Sequence, residues 1–92
     1  MPVQRINPSA IATPTGYTHV VKNGNTVYIA GQVPRDRDGN TVGKGDIKAQ
    51  AEQVFNNLQS ALAAAGGDLS HMVKMTTFMT HREDIPGYRE VR

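Results

Sequence analysis

The sequence has no cysteine and no tryptophan, and only three tyrosines and two phenylalanines among its 92 residues. Without cysteine there is neither a disulfide nor a thiolate metal centre. The histidines do not replace it. His71 and His81 would stand roughly 33 Å apart on an extended strand, and His19 has no partner at ligand spacing, so no metal site is expected. The lack of cysteine fits a reducing compartment, and a cytoplasmic location is expected. No apolar run is long enough for a membrane-spanning helix, and the proline-broken start MPVQRINPSAIATPTG has no signal-peptide core, so no membrane association is expected. A dominant charge is lacking too: ten Lys and Arg face eight Asp and Glu, a net +2. Basic and acidic residues alternate from Arg5 to Arg92 with no interleaved aromatics, which argues against a nucleic-acid partner. Residues 1–92 are expected to form a single domain. A chain this short buries only about 60% of its unfolded surface, so with no covalent staple it is expected to gain stability by oligomerising.

What is present is patterned. Val3 to Ile6 can form a short edge strand, followed by a Pro-, Ser- and Thr-rich link from Asn7 to Gly16. Thr26 to Pro34, TVYIAGQVP, alternates Val27, Ile29, Gly31 and Val33 against Thr26, Tyr28, Ala30 and Gln32, the period of a strand with one core face. Asn23-Gly24-Asn25 is a hairpin signal, so Tyr17 to Lys22 is expected to pair antiparallel with Thr26 to Val33. Gly31 interrupts the strand, as glycine does at a bulge or where a backbone or ligand comes close. Residues 35–46, RDRDGNTVGKGD, read as loop. The Gly43-Lys44-Gly45-Asp46 stretch lacks the spacing of a phosphate loop, and Asp46 is placed to cap the next helix.

That helix is expected over Asp46 to Ala65, where Ile47, Ala51, Val54, Leu58, Ala61 and Ala65 recur at steps of four and three. Gly66-Gly67 supplies its stop. Asp68 to Ser70 reads as a turn, and His71 to Thr80 alternates like a further strand, which would complete a strand-helix-strand unit. Asp84 can cap a second helix starting at Ile85-Pro86 and continuing to the last residue.

No reaction is legible from residue types alone. Ser70 and His71 are adjacent and would point to opposite faces of a strand, so they do not make a nucleophile and base. Asp36 and Asp38 read as turn residues, Glu83 and Asp84 as a helix start, Met72, Met75 and Met79 as packing, and the three histidines as surface or interface residues.

Longer strings are more specific. Gly16-Tyr17-Thr18-His19, Gly24-Asn25-Thr26-Val27-Tyr28-Ile29-Ala30-Gly31-Gln32-Val33-Pro34, Asp38-Gly39, Gly45-Asp46, Ala49-Gln50, Asn57-Leu58, Ala64-Ala65-Gly66, and Val73-Lys74 through Thr76 and Phe78 together resemble the Rid family, the reactive intermediate deaminases also called YjgF or RutC-like proteins. The resemblance implies a chorismate-mutase-like α+β fold: a two-layer sandwich with a mixed β-sheet and helices packed on one face. It also implies a homotrimer with a ligand cleft between subunits. The activity it implies is hydrolysis of enamines and imines such as 2-aminoacrylate to 2-oxo acids and ammonia, with no metal or organic cofactor.

By the same resemblance Tyr17 corresponds to the pocket tyrosine that orders ligand or water, and Gly31 to the glycine whose amide faces the ligand carboxylate. Ala30 stands where many members have serine, and Arg89 where the deaminases have asparagine, making Ala30, Gly31 and Arg89 the ligand-binding candidates. The family's carboxylate-binding arginine and water-positioning glutamate lie in C-terminal strands beyond Arg92, so the chain is expected to be truncated and catalytically incomplete. Arg89 or Arg92 could replace that arginine or be ordinary helix-surface residues. A non-enzymatic member that binds small acids or a partner protein is the alternative, favoured by Ala30. A ribonuclease reading finds no pair of converging histidines.

Overall fold

The computed structural model describes residues 3–92. Strands β1 (Gln4–Ile6), β2 (Val20–Asn23) and β3 (Thr26–Ile29) precede helix α1 (Ile47–Ala64) and helix α2 (Ile85–Val91), with short 3-10 turns at Leu69–His71 and Arg82–Asp84. The strands form an antiparallel sheet in the order β1-β2-β3. Asn23 pairs with Thr26, leaving Gly24-Asn25 as a two-residue turn. Gly24 has φ 61° and, among the described residues, no non-glycine residue has positive φ, the type II′ pattern whose twist matches that of the strands.

Helix α1 is defined at both ends by side-chain and backbone chemistry. The Asp46 carboxylate accepts from the amides of Lys48 and Ala49, satisfying two of the free donors of the first turn. At the other end Gly66, at φ 89°, lets its own amide reach Ala63 O and that of Gly67 reach Leu62 O, the paired bonds of a Schellman stop. The Lys22 ammonium donates to Ala65 O at 3.1 Å, placing positive charge at the negative end of the helix.

The core forms where α1 meets the sheet. Ile11, Val20, Ala61 and Ala65 are buried together, flanked by Ile6, Val27 and Ile29. The two alanines bring the helix backbone near the strands, so the small residues of the apolar stripe set the layer spacing. Helix α2 packs on the other part of α1, with Phe55 and Tyr88 stacked at 6.1 Å. A Cβ at Gly87 would stand 2.7 Å from Ile47 Cγ2, so this crossing requires glycine.

The α+β two-layer class holds. Three local expectations change. β3 ends at Ile29 and does not run to Val33, although Ala30 N still donates to His19 O at 2.9 Å. Residues 72–80 make no ladder, with Val73 98% and Phe78 92% exposed. Alternation favours extension, but a strand also needs a neighbour's hydrogen bonds, and no described strand lies alongside. The described sheet is therefore antiparallel throughout and contains no strand-helix-strand crossover. Asp84 makes no capping bond; α2 instead grows out of the turn at Arg82–Asp84, with Pro86 in its first turn. Among the described residues no helix is long and apolar enough to cross a membrane.

Candidate functional site

Where the hairpin, the incoming link and the outgoing loop converge, the chain forms a small cavity of about 40 Å³. Ile11, Ala12, Thr13, Tyr17 and His19 line it together with Gly31, Gln32, Val33 and Arg35 and with Asn57 of α1.

His19 is the buried post of this cavity, 3% exposed, which corrects its reading as a surface histidine. Its amide donates to Asn7 Oδ1 at 2.8 Å. Its Nδ1 lies 3.1 Å from Gln32 Nε2, which also donates to Ala30 O. A carbonyl only accepts, so Gln32 presents its NH2 group and His19 Nδ1 accepts. Nε2 then carries the hydrogen and donates to Ala12 O at 2.7 Å. Both ring nitrogens are occupied, leaving His19 to hold Ala12 and Gln32 in place. The Tyr17 ring stands edge-on to it, 5.3 Å away at 87°, and is 52% exposed, so the phenol is supported from behind and open in front.

Gly31 lines the same cavity. Its φ is not positive, and a Cβ built on it would meet nothing within 4 Å. Its amide makes no hydrogen bond among the described residues. Neither bulge geometry nor crowding within the chain accounts for glycine here. Just beyond, Asn57 is 3% exposed within the apolar stripe of α1. Its Nδ2 donates to Val33 O at 3.3 Å and Arg35 O at 3.0 Å, while Oδ1 accepts from Gln53. The loop after β3 is thus tied to the helix by its backbone.

The structure therefore brings together two of the sequence-derived candidates, Tyr17 and Gly31. Ala30 is half-buried behind them and contributes its carbonyl to Gln32. Arg89 is exposed on α2 and does not line the cavity of its own chain. Arg92 lies over the Tyr88 ring at 5.9 Å. Residue types alone do not assign the contacts of His19, Gln32 and Asn57. Asn57 had a signal, a polar residue three positions after Val54 and four before Ala61; the His19 and Gln32 pairing depends on where β3 stops. Among the described residues no three His, Asp or Glu side chains converge as a metal set.

A family model described as Endoribonuclease L-PSP matches residues 7–92. The chain belongs to this family, the YjgF/RutC/Rid proteins. Among curated Rid relatives, the 2-iminobutanoate/2-iminopropanoate deaminase of Dermatophagoides farinae is 33% identical over 82% of this chain and 59% of its own length. Among solved structures, RidA from an Antarctic Psychrobacter is 38% identical with TM-score 0.88, covering 96% of this chain and 72% of that one. TdcF of E. coli, solved with bound serine, is 28% identical with TM-score 0.89, covering 96% and 69%. The chain spans about three fifths of the length of the curated Rid relatives it matches, 60% and 59% for two from Pyrococcus.

Proposed function

We propose that the cavity binds a small 2-oxo or 2-imino acid, and that the protein hydrolyses reactive 2-imino acids such as 2-aminoacrylate to 2-oxo acids and ammonia. The observation that carries the reading is Gly31. It lines the same cavity as Tyr17, a Cβ built on it would meet nothing within 4 Å, and its amide makes no hydrogen bond among the described residues. An amide donor suits a carboxylate, and the name of the mite relative and the serine bound to TdcF are in keeping with it.

The chemistry asks little of the protein. 2-Aminoacrylate tautomerises to the imine, water adds to the imine carbon, and the resulting carbinolamine expels ammonia to leave the 2-oxo acid. Holding the acid by its carboxylate and ordering one water are the contributions required. Gly31 N–H takes the first role and the Tyr17 hydroxyl the second. Binding sites between subunits of a homotrimer, with Arg89 reaching a neighbour's cleft, and a cytoplasmic setting belong to the same proposal. None of the residues lining the cavity is Asp or Glu, so no carboxylate stands there to accept a proton from the water, and the 92 residues alone are proposed to bind better than they turn over.

A second reading, binding without catalysis, is favoured by Ala30, which brings no hydroxyl beside Gly31. The test combines a 2-oxobutanoate titration by calorimetry with pyruvate release from freshly generated 2-aminoacrylate. Binding with accelerated release supports the deaminase, binding without it supports the second reading, and neither result sinks both.

A further inference from the structure

Residues 72–80, MVKMTTFMT, carry the alternation of a strand and no ladder. From Val73 to Thr80 no backbone amide or carbonyl makes a hydrogen bond among the described residues. The segment is nevertheless held in place. Its backbone is extended where it begins, at Met72 (φ −71°, ψ 125°), and just past its end, at His81 (φ −129°, ψ 121°). Met72 N–H donates to Leu69 O at 3.2 Å, and Thr77 Oγ1 lies 2.8 Å from the hydroxyl of the buried Tyr88 on α2. Val73, Met75 and Phe78 are exposed. Nothing within the segment discourages pairing: it has no proline, no glycine and no acid, and Lys74 is its one charge. Strand edges are ordinarily blunted by such residues, so one without them is a template for another strand.

The segment is complementary to itself. Paired antiparallel about a two-fold axis at Thr76, it sets Val73 opposite Met79 and Met75 opposite Thr77, while Lys74 meets the Phe78 ring and not another cation. An axis at Lys74 would instead set lysine against lysine. An axis on a residue also keeps like faces together, so Thr77, and with it the α2 helix it contacts, lies on the same side in both copies and the two layers continue across the join. We propose that residues 73–79 are a homotypic interaction surface, pairing antiparallel about Thr76 with the same residues of a second copy of this chain. The contact is isologous, each copy offering the same patch. The segment lines no part of the cavity, so the proposal stands apart from the small-acid reading.

The absence of native cysteine makes a cross-linking test specific. Thr76→Cys is expected to give a disulfide dimer on mild oxidation, because directly opposed Cα atoms, about 4.5–5.5 Å apart, fall within disulfide reach. Val73→Cys, roughly 20 Å from its copy in this register, is expected to stay single. Light scattering reads the uncross-linked protein. Thr76→Pro removes a ladder amide and is expected to halve the assembled mass; Thr76→Lys, which opposes two like charges on the axis, is expected to do the same at low salt and to recover in high salt. Thr76 makes no hydrogen bond within its chain, so both variants keep the fold, and unchanged circular dichroism checks it. In wild type the amides of residues 73–79 are expected to gain protection from hydrogen exchange as protein concentration rises. Equal cross-linking at positions 73 and 76, or one mass for wild type and both variants, would overturn the proposal. Protection that does not depend on concentration would assign the pairing strand to the chain itself and overturn it too.

Discussion

The sharpest perturbation is at Gly31, because stability and ligand binding should move in opposite directions there. Its φ is not positive and a Cβ meets no atom within 4 Å, so Gly31→Ala removes backbone freedom from the unfolded chain with no clash in the folded one. Such a change stabilises by about 0.4–1 kcal/mol. For a domain of this size that raises the midpoint of thermal unfolding by roughly 2–8 °C. Gly31→Val extends the side chain further over the cavity. If the Gly31 amide holds a carboxylate, valine costs that charge-assisted hydrogen bond, about 1.5–3 kcal/mol, which is roughly a 10- to 100-fold loss of affinity. Thermal unfolding of both variants and calorimetric titration of 2-oxobutanoate read the two halves. Light scattering on Gly31→Val separates the ligand from a neighbouring subunit as the reason for glycine: an assembly that falls apart would place a second chain, not the acid, against Gly31. Wild-type affinity in Gly31→Val, or an Ala variant less stable than wild type, would refute the reasoning.

Two further expectations concern the support of the site and its acid sensitivity. Asn57→Ala removes two donors to loop carbonyls and the acceptor of Gln53; it is expected to cost about 1–3 kcal/mol in urea unfolding and to speed amide hydrogen exchange selectively over residues 31–35, where unaltered exchange would deny that Asn57 holds the loop. The Ser70 hydroxyl, followed by the Ser70 amide, holds the Asp68 carboxyl below the ordinary value of 3.8. A depressed folded-state value contributes stability that is present above about pH 4 and lost as pH falls through it. Ser70→Ala is expected to raise the Asp68 midpoint in a carboxyl NMR titration and to lower stability slightly at pH 7, the site being solvent-exposed, with the difference from wild type vanishing in acid; an unshifted midpoint would remove the Ser70 hydroxyl as its cause.

Local chemistry was the legible part of this fold. Asp46 and Gly66 are read from sequence because a cap and a Schellman stop need only the residues beside them. Gly24 is read the same way, since the tight turn requires its positive φ. The alternation of residues 71–80 misled because period two reports a preference for extension, whereas a strand exists only with a partner, and Val73 and Phe78 are left exposed. The cavity failed to show for a related reason. His19, Gln32 and Asn57 are joined by bonds between residues 13 and more than 20 positions apart, and no periodicity encodes which of several polar groups will meet.

Gly31 was visible for the opposite reason, as a break in a pattern, and the structure changes what that break means. A strand glycine is usually explained by backbone geometry or by crowding, and both explanations can be checked within the chain. Here φ is ordinary and no described residue meets the Cβ position, so a requirement for glycine would have to come from outside the described residues. Its two candidates are a bound acid and a second subunit. The acid has the stronger physical case, because Gly31 and Tyr17 line the same cavity and the Gly31 amide makes no hydrogen bond among the described residues. A free amide would be costly to bury against a neighbouring protein surface without an acceptor facing it. A carboxylate in the cavity supplies that acceptor beside the Tyr17 hydroxyl, which is why the Gly31 and Tyr17 substitutions, made singly and in combination, should show coupled and not additive losses in acid affinity.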